Sequence, residues 1–305
     1  MWLTGGLVNA YLAAHRKTVL SPSCIALNDT SNFIGQHAIT IQNLGNNSAT
    51  YTLSHRSGLS AYTLGMGVPY NKSSLATAAA TISLEPSILT VGAGGAGVVV
   101  ASFTPPSGLN ASRIPVYSGF VSINSTYGEL FNVPYTGIAT NLRNISVMDV
   151  DESYPYLSSS MIQTFPNGTT SKTLSPPITA SNASYILAGN ATNYTVIAYP
   201  TLVYKLQYGS RVVRIDVVPQ NTTGLPTVLG QRILGSISGY PSSNVGARYT
   251  AVQLQWDGSL ANKTSVAPAG AYKFLVRVLK IFGNETSVGD YEEFSTPYFS
   301  LRYSI

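Results

Sequence analysis

Three histidines, His15, His37 and His55, and a single cysteine, Cys24, are the softest side chains available for chemistry. A lone cysteine cannot close an internal disulfide, and it excludes cysteine-based zinc sites and iron–sulfur clusters. Without a partner, Cys24 is expected to pack as a small buried hydrophobe. None of the histidines sits in a recognisable catalytic motif, and no G-x-S-x-G stands anywhere in the chain. His15 ends a helix-like stretch, where a cation suits the helix dipole. His37 lies on the face of Ile39 and Ile41 as a half-buried ring, and His55 closes an apolar alternation over 49–54. No cofactor, metal or catalytic residue is expected.

Two further patterns invite chemistry. Gly92-Ala93-Gly94-Gly95-Ala96-Gly97 has the G-x-G-x-x-G spacing of a dinucleotide loop. That chemistry needs a helix N-terminus after the third glycine. Val98-Val99-Val100 follows instead, a β-branched run that resists helix, and the next acidic residue is the distant Glu129. A glycine-rich hairpin connection is expected. Asp149, Asp151 and Glu152 form an acidic cluster, but Tyr154-Pro155 follow where a calcium loop would continue, so a solvated linker is expected. Trp256-Asp257-Gly258 reads as a strand entering a turn, with the indole in the core.

The strongest chemical signal is N-x-[ST]. It begins at Asn28, Asn46, Asn71, Asn110, Asn124, Asn144, Asn167, Asn182, Asn190, Asn193, Asn221, Asn262 and Asn284. Chance would supply about four from this composition. Thirteen N-glycosylation acceptors from 20 asparagines is the profile of a eukaryotic secreted glycoprotein, extracellular or in a cell wall. The first residues do not form a signal peptide. The uncharged stretch 86–112 is broken by prolines, and no transmembrane span is expected.

These residues are positioned by a chain of 305 residues, 44% hydrophobic and only 10% charged. A net charge of +5 without any basic cluster excludes a nucleic-acid surface. Leu7, Val8, Tyr11 and Leu12 recur at helical spacing, predicting one short helix over 7–14. Such a helix is marginal alone and should be loosely held or lie across the first sandwich. After Pro22 the period changes to two: Ile39 and Ile41, then Val213, Ile215 and Val217, then Tyr272, Phe274, Val276 and Val278. Further strands are expected over 49–54, 81–85, 98–103, 116–124, 194–199 and 249–256. Short half-buried strands broken by Gly, Pro and Asn predict an all-β chain of two antiparallel sandwiches after one short helix.

The order of several motifs adds a family resemblance. Gly5-Gly6-Leu7-Val8-Asn9-Ala10 resembles the G-x-G-x-[LV]-[ND]-A helix that ends the catalytic domain of subtilisin-like serine proteases. Ser21-Pro22-Ser23 stands where that family has S-P-S. Asn43-Leu44-Gly45 is similar to the N-x-G element of its fibronectin-III-like accessory domain. Residues 92–105, 117–120 and 133–137 resemble its V-x-V-x-F-x-x-P, Y-S-G-F and V-P-Y-x-G strands, and 270–280 its distal G-x-Y-x-x-x-V-R-x-L-K strand. The resemblance implies a division into a helix remnant at 1–20, a fibronectin-III-like sandwich at 21–140, a Ser/Thr/Asn-rich connection at 141–190 and a second sandwich at 191–305. It also implies a non-catalytic accessory region that stabilises the subtilase catalytic domain and can bind protein substrate. The family's G-T-S-[MA]-A-x-P nucleophile motif and its Asp and His motifs do not occur in the chain, so the chain is expected to be inactive alone. The alternative is a structural or glycan-binding cell-surface module.

Overall fold

A computed structural model of the chain describes residues 10–63, 74–150, 152–165, 168–188, 196–247, 250–261 and 265–304. The chain divides into two compact units, Met1–Leu142 and Arg143–Ile305.

Unit 1 opens with helix α1, Ala10–His15. Its expected start at Leu7 and Val8 lies outside the described residues. Ala10, Tyr11, Ala13, Ala14 and His15 are exposed. The strands are β1 Thr18–Ser21, β2 Ile25–Ala26, β3 Gln36–Asn43, β4 Ala49–Ser57, β5 Ser60–Tyr62, β6 Leu75–Ala76, β7 Thr81–Glu85, β8 Ile88–Val91, β9 Ala96–Thr104, β10 Pro115–Ser125 and β11 Leu130–Ile138. One sheet runs β1-β3-β9-β7. The other runs β2-β11-β10-β4-β8, with β5 on β10 and β6 on β5. Period-two alternation gives each sheet one apolar face. Ile39 and Ile41 meet Tyr51, Val99, Val121, Ile123 and Val133 in one buried core.

Unit 2 contains β12 Tyr156–Thr164, β13 Thr170–Leu174, β14 Ala183–Ala188, β15 Val196–Tyr204, β16 Ser210–Pro219, β17 Thr227–Val228, β18 Gln231–Arg232, β19 Gly235–Ser236, β20 Ser242–Val245, β21 Val252–Gln255, β22 Gly270–Leu279, β23 Tyr291–Ser295 and β24 Phe299–Ser304. Its sheets run β13-β12-β15-β21 and β14-β24-β22-β16-β19, with β20 on β16 and β23 on β22. The architecture is therefore all-β, two sandwiches after one short helix.

The expected connection over 141–190 is corrected. It carries β12, β13 and β14, and β12 pairs with β15 from Tyr156↔Val203 to Gln163↔Val196. The Ser158 and Ser160 hydroxyls that made this stretch look loop-like are fully buried. Ser158 Oγ donates to the Ser175 carbonyl at 2.7 Å, and Ser160 Oγ accepts from Gln255 Nε2 at 2.7 Å.

The alternation on β16 also has an unexpected outer face. Val213, Ile215 and Val217 face the core, but Asp216 is 0% and Arg277 on β22 is 1% exposed. The small β17–β18 hairpin covers this side, where Val218, Ile233 and Leu275 form a second apolar layer. Beneath it Asp216 accepts from Ser236 Oγ at 2.6 Å and from Arg214 Nη2 at 3.2 Å, and lies 3.8 Å from Arg277 Nη1. Arg277 donates to Glu293 at 2.8 Å and to the carbonyls of Val228 and Leu229 at 3.0 and 3.1 Å. The guanidinium thus pins the covering hairpin to the sheet.

Candidate functional site

The three histidines are spent separately. His15 Nδ1 bonds the Tyr11 carbonyl at 2.8 Å, one helical turn back. His37 Nε2 bonds the Ile34 carbonyl at 3.0 Å and meets the Phe103 ring edge-on. His55 Nε2 bonds Tyr135 Oη at 2.9 Å. None of these bonds goes to a serine or a carboxylate. Burial lowers the pKa of His55, which favours the neutral ring.

Tyr135 and Tyr117 belong to a reciprocal device. In the β10–β11 register Tyr117 faces Gly137 and Gly119 faces Tyr135. Each ring lies over the opposite glycine: a Cβ on either glycine would come within 2.4 Å of the facing hydroxyl. This is aromatic cover of a strand glycine, made twice. Tyr117-Ser118-Gly119 and Tyr135-Thr136-Gly137 therefore serve packing. Burial pushes both phenols up to about 12, and Tyr117 Oη is buried without a hydrogen-bond partner.

Asn43 is fully buried at the end of β3. Its amide donates to the carbonyls of Asn47, Val91 and Gly92 at 2.8, 3.1 and 3.1 Å. Its oxygen accepts from the Gly45 N–H at 2.9 Å and from Tyr127 Oη at 3.2 Å. The N-x-G element is thus a polar hub joining the β3–β4 turn to the glycine-rich turn. That glycine-rich turn is not a hairpin: it carries the chain from β8 of one sheet to β9 of the other. Gly95 N–H donates to the Gly92 carbonyl at 3.1 Å, Gly94 has φ +68°, and a strand follows. No helix N-terminus is present to hold a pyrophosphate.

The acidic cluster is corrected too. Asp149 is buried and lies 2.9 Å from Lys205 Nζ, which also meets Glu152 at 2.7 Å. Glu152 and then Asp149 hold the Lys205 ammonium well above the usual lysine range, against the opposing effect of burial. Asp151 lies outside the described residues. Among the described residues no group of three or more His, Cys, Asp or Glu is placed to hold a metal. Cys24 is exposed, not buried, because it sits in the bend before β2 and only Ile25 turns inward. Trp256 is 2% exposed, edge-on to Tyr272, Phe274 and Phe299.

An open depression of about 420 Å³ beside β1 is lined by Arg16, Lys17, Tyr127 and Glu129. Its carboxylate is consumed structurally: Glu129 accepts from the Lys17 N–H at 2.9 Å and from Thr18 Oγ1 at 2.6 Å. Arg16 and Lys17 lie over the rings of Phe131 and Tyr127.

The acceptor asparagines are the remaining site class. Asn28, Asn46, Asn110, Asn124, Asn144, Asn182, Asn221 and Asn284 are all exposed, whereas Asn43, which heads no acceptor triplet, is buried. Asn71, Asn167, Asn190, Asn193 and Asn262 lie outside the described residues. At Asn110, Asn221 and Asn284 the side-chain oxygen accepts the N–H of the triplet's own Ser or Thr, at 3.1, 3.1 and 3.0 Å. These are local Asx turns on the surface. The described N-x-[ST] asparagines are thus dispersed over the surface.

Among curated proteins, none matches the chain in sequence. Solved structures superpose loosely. A PapD-like domain of human CEP192 is 14% identical over 46% of this chain and 96% of its own, with a TM-score of 0.31. The CsuC-CsuE chaperone–tip adhesion subunit pre-assembly complex of Acinetobacter baumannii is 11% identical over 95% and 100%, at 0.28. The Pseudomonas aeruginosa CupB2 chaperone is 8% identical over 92% and 100%, at 0.27. Superpositions this loose carry no argument about this chain. Residues 25–136 match the Fn3-like domain family, so the sandwich of unit 1 contains an Fn3-like domain.

Proposed function

We propose that this chain is the non-catalytic accessory region of a secreted, subtilisin-like serine endopeptidase. In this reading it stabilises a catalytic domain that it does not itself contain, offers surface to protein substrates and carries N-linked glycans. The observation that carries the proposal is the convergence of the family-like elements in one Fn3-like sandwich. The N-x-G element, the Y-S-G strand and the V-P-Y-x-G strand stand in the family's order. Each supplies a fold-determining contact, the Asn43 hub or the paired Tyr–Gly covers. The exposure of all eight described acceptor asparagines supports a glycosylated surface. A glycan-binding module draws less support, because the indole best suited to stack on sugar, Trp256, is enclosed in the core.

The test is the coding sequence upstream of Met1. An in-frame G-T-S-[MA]-A-x-P is expected there. A signal peptide joined directly to Trp2 would overturn the proposal. Digestion of casein by the purified 305-residue chain, abolished by changing one of its own serines, would overturn it equally.

A further inference from the structure

Asn221 is exposed and borders a concave surface. It follows β16 at the rim of a depression of about 490 Å³ in unit 2. Pro219, Leu225, Leu234, Pro268 and Ala271 line the depression with it, and no charged side chain does. The depression is shallow and open, with Gln220 and Tyr272 also in its lining, so it can cover one face of a sugar rather than enclose it. The Asn221 oxygen is held by the Thr223 N–H at 3.1 Å, while the residue stays exposed. A sugar on its amide nitrogen is thereby tethered beside a concave apolar surface, at a high effective concentration. One face of a pyranose presents mostly C–H groups, and covering apolar surface with it removes that surface from water.

We infer that the innermost sugars of an N-glycan on Asn221 seat in this depression and form part of the packing of unit 2. The inference rests on the glycosylated reading proposed above and goes beyond it by naming one glycan as structural. The full chain, secreted from a eukaryotic host, is to be compared with its Asn221→Gln, Thr223→Ala and Asn284→Gln variants. Glycopeptide mass spectrometry reads occupancy, and tryptophan fluorescence, with every form carrying Trp2→Phe, reads the thermal midpoint of unit 2 through Trp256. Occupied Asn221 is expected, with a midpoint lower by about 2–4 °C in both Asn221→Gln and Thr223→Ala. Asn284→Gln should leave the midpoint in place, and trimming the wild-type glycans to a single sugar should retain most of the Asn221 effect. In bacterially expressed chain, which lacks glycan, Asn221→Gln should shift the midpoint no more than Asn284→Gln does, since each loses only an exposed Asx turn. Equal midpoints for the Asn221→Gln and Asn284→Gln variants would overturn the inference, as would an unmodified Asn221 amid occupied neighbours. A chain unmodified at every acceptor would instead remove the glycosylated reading beneath it.

Discussion

Asp216→Asn tests the ionic cluster under the β17–β18 hairpin. The substitution keeps the shape of the side chain and removes its charge. It leaves Arg214, 16% exposed, and Arg277, 1% exposed, facing an uncharged amide. Arg277 retains Glu293, but that carboxylate is 45% exposed and screened by water. Removing one partner of a buried ion pair costs about 3–5 kcal/mol, because the desolvated charge that remains is uncompensated. For a unit of this size the thermal midpoint should fall by roughly 6–20 °C. Urea unfolding followed by tryptophan fluorescence in a Trp2→Phe background reads unit 2 directly, since Trp256 lies in that unit's core. The control is Arg211→Met, which breaks an ion pair whose partners are 62% and 51% exposed. It should change stability by no more than about 0.5 kcal/mol. A loss below about 1 kcal/mol for Asp216→Asn, matching the control, would refute the view that this cluster is desolvated and cooperative.

Gly137→Ala should destabilise unit 1 by about 1–3 kcal/mol, since its Cβ meets the Tyr117 ring and strand pairing prevents retreat. Tyr117→Phe should cost nothing measurable in urea unfolding, because the hydroxyl it removes has no partner. Asn43→Ala should cost about 1–3 kcal/mol in urea unfolding followed by circular dichroism, as it strips the buried Gly45 N–H of its acceptor. Alkali should unfold the chain between about pH 10 and pH 12. Burial holds Tyr117, Tyr135 and Tyr208 near 12, so the unfolded chain releases these protons first and stability falls as pH rises through that window. Tyrosinate absorbance at constant temperature should rise together with loss of β-sheet circular dichroism. Exposed phenols ionise earlier, so the step that counts is the last one: ionisation of all 20 tyrosines before any loss of structure would contradict the burial argument.

Much of the fold is legible in the sequence because period-two alternation reports burial on one face. Ile39, Ile41, Phe274 and Val276 are all core residues as that pattern requires. What alternation cannot report is a strand face covered by a distant hairpin, so nothing in the pattern marks Asp216 and Arg277 as buried. Nor does it read the serines of β12, whose hydroxyls are paid for by a carbonyl and a glutamine far along the chain. The glycine-rich run 92–97 is legible as a turn, but the sheets it joins are not, since turn chemistry is local and sheet membership is not. The acidic cluster read as solvent-facing because its cation, Lys205, lies over fifty residues away in sequence. The N-x-[ST] triplets stand in the sequence itself, and the structure adds that the eight described asparagines are exposed. The depression beside Asn221 is not, because its walls come from separate strands and loops of unit 2.

Both sandwiches are closed by parallel seams between an early strand and the last one made. β2 pairs with β11 through Ile25↔Tyr135, and β14 pairs with β24 from Ala183↔Phe299 to Ala188↔Ser304. Neither seam can form while the ribosome still holds the later strand. During synthesis each nascent sandwich therefore waits with an open hydrogen-bonding edge until its final segment emerges, a long-range and slow closure. Such an edge invites intermolecular strand pairing in the interval, so the yield of soluble chain should depend on how quickly translation delivers those closing segments.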